Sequence, residues 1–295
     1  MDFKFNQLFL VIIKKEMKNE SPEHKEKSLA REIYELFSSA EKDEDITVRD
    51  DQFEFSVLFD AVRMFRHRKP RFRLIDTGRL DPVKLEWLAG NGADVYTSDE
   101  ARSKAQELEI INSAAKKGKT LMAYFLHGSL QPEEGETEFS FSDLLNAGRS
   151  GVYFYVSNKN EERDIGQLSQ LAYECSKGGS WLVYYHHGPL SVSLMGLCQC
   201  GSWIHVSDRS FEQEKDPSLV RDLVLSARSA GSNIVLHWDK GATFSVLDEV
   251  VKAGAIIRFK STLFDYRSPF KDLERQARKR DLDFRAYYLY PTFLA

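Results

Sequence analysis

From residue 71 onward the chain repeats one unit: a short β-branched and aromatic run, a polar turn, a helix-like stretch, and a glycine at which the cycle restarts. That alternation is the signature of consecutive βα units, and it limits the chain to folds with parallel strands joined by helices. The restarting glycines are Gly92, Gly118, Gly151, Gly179, Gly201, Gly231 and Gly254, at steps of 26, 33, 28, 22, 30 and 23 residues. Each is expected just past a helix end, where a left-handed backbone favours glycine.

Nine strands are read: "FRLID", "ADVYTS", "TLMAYFL", "VYFYVS", "SWLVYYH", "SWIHVS", "NIVLHW", "AIIRFK" and "FRAYYLY". Most are apolar nearly throughout, as parallel strands covered on both faces are. The expected fold is α/β, a (β/α)8 TIM-type barrel with a small N-terminal α/β extension. Nine strands exceed a barrel's eight, so "FRLID" or "FRAYYLY" is expected outside the ring. The alternative is an open doubly wound parallel sheet, although the steady march of similar units gives no sign of the strand-order reversal such a sheet needs. With 42% hydrophobic residues in 295, the core has ample material.

The expected domains are an extension over residues 1–70 and a barrel over 71–295. Within the first, "FNQLFLVIIKKE" reads as a strand, "SPEHKEKSLAREIYELFSSAEKD" as a capped amphipathic helix, and "ITVRDDQFEFSVLF" as a hairpin. "RMFRHRKPRFR", with six arginines and lysines, reads as a linker whose charges meet the acidic "EKDEDITVRDD" before it.

Charge and cysteine usage exclude several classes. A net charge of −4 supplies no basic field, which argues against a nucleic-acid partner. The apolar "LFLVII" falls far short of the roughly 20 residues a membrane span needs. Three cysteines without a secretory leader point to a reduced, cytoplasmic setting for a soluble protein. Cys198-Gln-Cys200 lacks the second ligand pair of a zinc site. No signature for NAD, FAD or an iron-sulfur cluster is present.

Beneath the βα rhythm lies a longer repeat. Odd strand ends read "DTGRL", "LHGSL", "HHGPL" and, loosely, "WDKGA"; even ends read "YTSD", "YVSN", "HVSD" and, loosely, "RFKS". From His127 to His187 is 60 residues and from His187 to His237 is 50; Asp99 to Asn158 is 59 and Asn158 to Asp208 is 50. Both classes step together, as duplication of a two-unit βαβα block requires. In each Gly-x-Leu the glycine is expected to turn the chain and the leucine to anchor the loop.

In βα barrels the chemistry sits at the C-terminal strand ends. There the sequence places His127, His187, His237 and Asp76 as candidate acid, base or orienting groups. His187, Asp208, His237 and Asp239 form a candidate site for a divalent metal, although no H-E-x-x-H spacing supports it. Asp99 and Asp208 have the alternative role of capping the helices that follow. His186 and His187 alternate between faces, so His186 is expected to pack or hydrogen-bond within the loop. "DKGAT" and "KST" occupy the usual phosphate corner, with Lys240, Gly241, Lys260 and Ser261 as candidate anion-binding groups.

The expected function is therefore an enzyme acting on a small anionic metabolite, phosphorylated ones included, by His/Asp acid-base or metal-assisted chemistry. The alternative is a non-catalytic barrel that binds a ligand or protein partner, its N-terminal module mediating assembly. Either reading is compatible with a homo-oligomer.

Overall fold

The computed structural model describes residues 22–131, 139–207, 210, 217–238, 244–260 and 284–287. The chain falls into two compact units, Met1–Val95 with Ala114–Thr120, and Tyr96–Ser113 with Leu121–Ala295. The "FNQLFLVIIKKE" segment lies outside the described residues. Among those described, no helix is long and apolar enough to cross a membrane.

The first unit contains α1 (Pro22–Glu41), β1 (Ile46–Arg49), α2 (Phe55–Phe65), β2 (Phe72–Ile75), α3 (Pro82–Asn91) and the start of β3 (Ala93–Ser98). The expected hairpin over 46–59 does not form. "ITVR" is a strand lying parallel to β2, with Ile46 opposite Phe72 and Arg49 opposite Ile75. "FSVLF" opens α2 instead, because Leu58, Ala61, Val62 and Phe65 recur at helical spacing and bury as one stripe. Burial of that stripe outweighs the β preference of its phenylalanines and valines. A tenth strand thus joins the nine read from the sequence.

The basic run spans the end of α2, a turn and the start of β2, and its charges do meet the acidic stretch. Arg73 pairs with Asp45, whose other oxygen accepts the Arg71 backbone N–H at 2.8 Å. The Arg71 guanidinium reaches buried Asp94 at 3.2 Å.

The second unit continues with β4 (Met122–Leu126), α5 (Phe141–Arg149), β5 (Tyr153–Ser157), α6 (Ile165–Gly178), β6 (Leu182–His186) and α7 (Leu194–Gln199). It ends with β7 (Trp203–Ser207), α8 (Pro217–Ser229), β8 (Ile234–Trp238), α9 (Phe244–Ala253), β9 (Ile256–Lys260) and β10 (Phe284–Tyr287). α4 (Ala105–Gly118) contributes to both units. All nine expected strands are present.

Strand order is sequential in each unit, β1-β2-β3 in the first and β3 through β10 in the second. Every described pairing is parallel. This is the strand succession of the expected (β/α) barrel, run as an open series, and the described pairings contain no reversal of the doubly wound kind. Sequential parallel strands with crossovers of one hand keep their helices on one face. In β5 and β7, Phe154, Val156, Ile204 and Val206 are buried, whereas Tyr153, Tyr155, Ser157, Trp203, His205 and Ser207 on the other face are half-buried. β4 is buried on both faces and β6 nearly so, so the cover on both faces read for most strands is met there and not in β5 and β7.

Gly118 departs from its expected role. It lies inside the last turn of α4, and Lys119 takes the left-handed position with φ of 57°. A Cβ on Gly118 would meet the Ala89 carbonyl oxygen at 2.2 Å. Sixty residues on, a Cβ on Gly178 would meet the Gly148 carbonyl oxygen at 2.3 Å. Both glycines therefore mark close helix approaches, repeated with the period of the strand ends.

Candidate functional site at the C-terminal ends of β4 to β6

The acidic and amide residues that follow β1, β3 and β5 share one task. Asp50 Oδ1 accepts the Thr77 N–H at 3.0 Å, and its Oδ2 the Leu80 N–H at 3.2 Å. Asp99 Oδ2 accepts the N–H of His127 at 2.9 Å and of Gly128 at 2.7 Å. Asn158 Oδ1 accepts the His187 N–H at 2.7 Å while its Nδ2 donates to the His187 carbonyl at 2.9 Å. Each side chain thus clamps the loop after the next strand, and the loop leucines Leu80, Leu130 and Leu190 are buried beneath. Asp99 accordingly does not take the alternative role of helix cap: α4 begins at Ala105, and side-chain caps at Asp81, Ser140 and Asp164 belong to other helices.

What the second clamp adds is a histidine ring. His127 Nδ1 lies 2.9 Å from Asp99 Oδ1, where the first copy has the Thr77 hydroxyl on Asp50. Burial pushes the Asp99 carboxyl up, but the His127 ring and the two backbone N–H groups outweigh it and leave the value below normal. An ionised carboxylate only accepts, so the Nδ1–H donates and Nε2 is left to react. The Asp99 hydrogen bond in turn raises His127 above its ordinary value, against a smaller lowering by burial. Nearly half of the His127 side chain is exposed, so an incoming molecule can reach it.

The His127 loop is locked from below by Arg163. This side chain, 2% exposed, donates to the carbonyl oxygens of His127 at 2.8 Å and Ser157 at 2.9 Å, and also to that of Gly128. Its fork of donors ties the ends of β4 and β5 together. Above it lies a shallow pocket walled by Phe125, Tyr155 and Tyr185, with His127, Lys159 and Arg163 at its polar side.

Beside it, His187 is shifted the other way. Burial lowers it most, and the nearby Lys159 and His186 charges lower it further. His186 behaves as expected of a loop residue: its Nε2 lies 3.0 Å from the Pro189 carbonyl oxygen and its ring rests near Tyr184.

His237 meets another histidine. Its Nε2 is 2.8 Å from Nδ1 of His205 on the adjacent strand, with Arg258 opposite it on β9. Burial, then Arg258, lowers His237 to about 3, and burial, then the His237 and Arg258 charges, holds His205 well below normal. The two rings form a neutral pair, one nitrogen donating to the other. No contact between His187 and His237 occurs among the described residues. Asp76, in the first unit, is buried with Oδ1 accepting the Gly78 N–H at 3.0 Å.

Asp208, Asp239, Lys240, Gly241 and Ser261 lie outside the described residues, as does the side chain of Lys260. Among the described residues no three His, Cys, Asp or Glu side chains gather as metal ligands.

Sequence reading did not identify Asp50, Lys159, Arg163 or His205 as site-forming. Two signals were available. "VRD" ends β1 as "TSD" and "VSN" end β3 and β5, which identifies the Asp50 clamp. His205 and His237 occupy inward positions of neighbouring strands.

No protein-family model matches the sequence, and no curated protein matches it. Similar solved structures include a tetrameric deoxyribose phosphate aldolase from Aeropyrum pernix, 16% identical with a TM-score of 0.30, covering 83% of this chain and 97% of that one. Another is phospho-2-dehydro-3-deoxyheptonate aldolase from Thermotoga maritima, 13% identical with a TM-score of 0.30, covering 82% of this chain and 72% of that one. At these values the likeness carries no argument about ligand or reaction.

Proposed function

We propose that the protein is a βα-barrel enzyme for a small anionic metabolite, with Lys159 holding the anion and His127 exchanging the proton. The observation that carries this is the His127–Asp99 pair, fixed at 2.9 Å through Nδ1 at the edge of a pocket that also contains Lys159. Environments that push two titratable groups apart mark an acid and a base. His127, raised by Asp99, is the acid, and His187, kept neutral by burial and by Lys159, is the base, on the loop after β6 and across the Lys159 loop from His127.

The anion site expected from Lys240, Gly241, Lys260 and Ser261 is a separate proposal, carried by sequence alone, as is a divalent metal at His187, Asp208, His237 and Asp239. A metal bound through His237 Nε2 has to displace the hydrogen bond to His205. Titration calorimetry with inorganic phosphate separates the two anion sites. Lys159→Ala abolishing binding, with Lys240→Ala silent, supports the pocket beside His127; the reverse result moves the site to the later loops.

The alternative is a non-catalytic ligand-binding barrel. It draws on the clamp repeat, since Asp50 and Asn158 do the work of Asp99 without an acid-base histidine pair. His127→Gln that binds phosphate normally and leaves every turnover assay unchanged favours it.

A further inference from the structure

We propose that the anion taken by this pocket carries a flat aromatic ring, so that the site selects aryl phosphates and aryl carboxylates over aliphatic ones. The inference rests on the anion reading above and goes beyond it in naming the organic part of the ligand.

Rings line one face of successive strands leading to the pocket. Tyr96 and Phe125 stack at 6.4 Å with planes 25° apart, and Phe125 and Tyr155 at 4.7 Å with planes 27° apart. Phe125, Tyr155 and Tyr185 then form the apolar wall of the pocket whose polar side is His127 and Lys159. Phe125 and Tyr185 are buried, as are Phe154 and Val156 on the opposite face of β5, whereas Tyr155 stays half-buried and is the ring of the wall that a ligand can reach.

The stack is open at Tyr155, where another flat ring extends it, because aromatic pairs favour offset stacking. An aliphatic polyol phosphate in the same place sets its hydroxyls against that ring, where water is lost and few partners are gained. With the cationic groups at one end of the wall, one molecule satisfies both: an anionic head at Lys159 and an aryl group on Tyr155.

Calorimetry on the full chain with inorganic phosphate, glycerol phosphate and phenyl phosphate tests this. Phenyl phosphate is expected to bind about tenfold more tightly than the other two. Tyr155→Leu should remove that margin without changing phosphate affinity, Tyr155→Phe should keep it, and Lys159→Ala should weaken all three. Saturation-transfer NMR on the unaltered protein guards against a Tyr155→Leu chain that does not fold: the phenyl protons should saturate, and excess phosphate should abolish the signal. Equal affinity for phosphate and phenyl phosphate overturns the ring proposal and leaves the anion site standing. Failure of all three ligands to bind overturns both. A phenyl margin that survives Tyr155→Leu, or phenyl saturation that phosphate does not displace, also overturns the ring proposal.

Discussion

Asp99 and His127 are joined twice, once through the backbone N–H and once through the ring Nδ1, each at 2.9 Å. One carboxylate therefore builds the loop and sets the tautomer of the histidine that the loop carries.

Asp99→Asn separates these two tasks. The amide oxygen can still accept one backbone N–H, as Asn158 does beneath His187. The charge that raises His127 is gone, so the His127 titration, followed by NMR of its ring protons, should shift to lower pH. Asp99→Ala removes both acceptors and should cost about 1–3 kcal/mol in urea unfolding. A His127 titration that stays in place in Asp99→Asn refutes the assignment of Asp99 as its cause.

Arg163→Lys tests the lock below the site. One ammonium cannot span the carbonyl oxygens of His127, Gly128 and Ser157 that the guanidinium fork reaches. Losing charged hydrogen bonds at a buried position should cost about 2–4 kcal/mol. The effect should also appear as increased hydrogen exchange at His127 and Gly128, and an unchanged exchange pattern counts against the lock.

The nine expected strands were legible because each is a β-branched or aromatic run, and seven of them are preceded by a restarting glycine. β1 and α2 were misread together, since Phe55, Val57 and Phe59 are β-prone residues that alternate along the first turns of α2, beside its buried stripe. At the site, the histidines were visible as a pattern of strand ends. Their partners were not, because Asp99 meets His127 across 28 residues and Arg163 meets the His127 carbonyl across 36. Such pairs follow from parallel register, which only the assembled sheet fixes. The repeat held the missing information: residues that recur at strand ends were clamps, and of the two histidines they hold, His127 is the one whose ring also bonds its clamp.

Gly178→Ala and Gly90→Ala should move stability in opposite directions. Alanine in place of glycine inside a helix ordinarily stabilises by roughly 0.5–1 kcal/mol. At Gly90 the nearest atom to a new Cβ is 3.9 Å away, so that gain should be realised. At Gly178 the Gly148 carbonyl oxygen is 2.3 Å away, and backbone cannot swing aside as a side chain does. A net loss of about 1–3 kcal/mol is expected from overpacking. Thermal midpoints of both variants check the pair, and stabilisation by Gly178→Ala refutes the close α5–α6 approach.

Stability should pass through a maximum near pH ~6.5, the ordinary histidine value. His205 and His237 are lowered by burial, His237 to about 3. Below pH ~6.5 the unfolded chain takes up protons that this buried pair refuses, so their contribution is present above that pH and is lost as pH falls towards 3. His127 has the opposite sign. Its raised value means that the folded state holds a proton the unfolded chain has released, so its contribution is full below pH ~6.5 and disappears as pH rises through the folded value. Asp99, lowered, adds a loss only in stronger acid, below its unfolded value of ~3.9. Urea midpoints at pH 5, 6.5 and 8 read both limbs. The double variant His205→Gln with His237→Gln should flatten the acid limb, and His127→Gln the alkaline one. An acid limb equally steep in the double variant means that the proton uptake belongs to other groups, and the neutral pair is then not what limits the fold in acid.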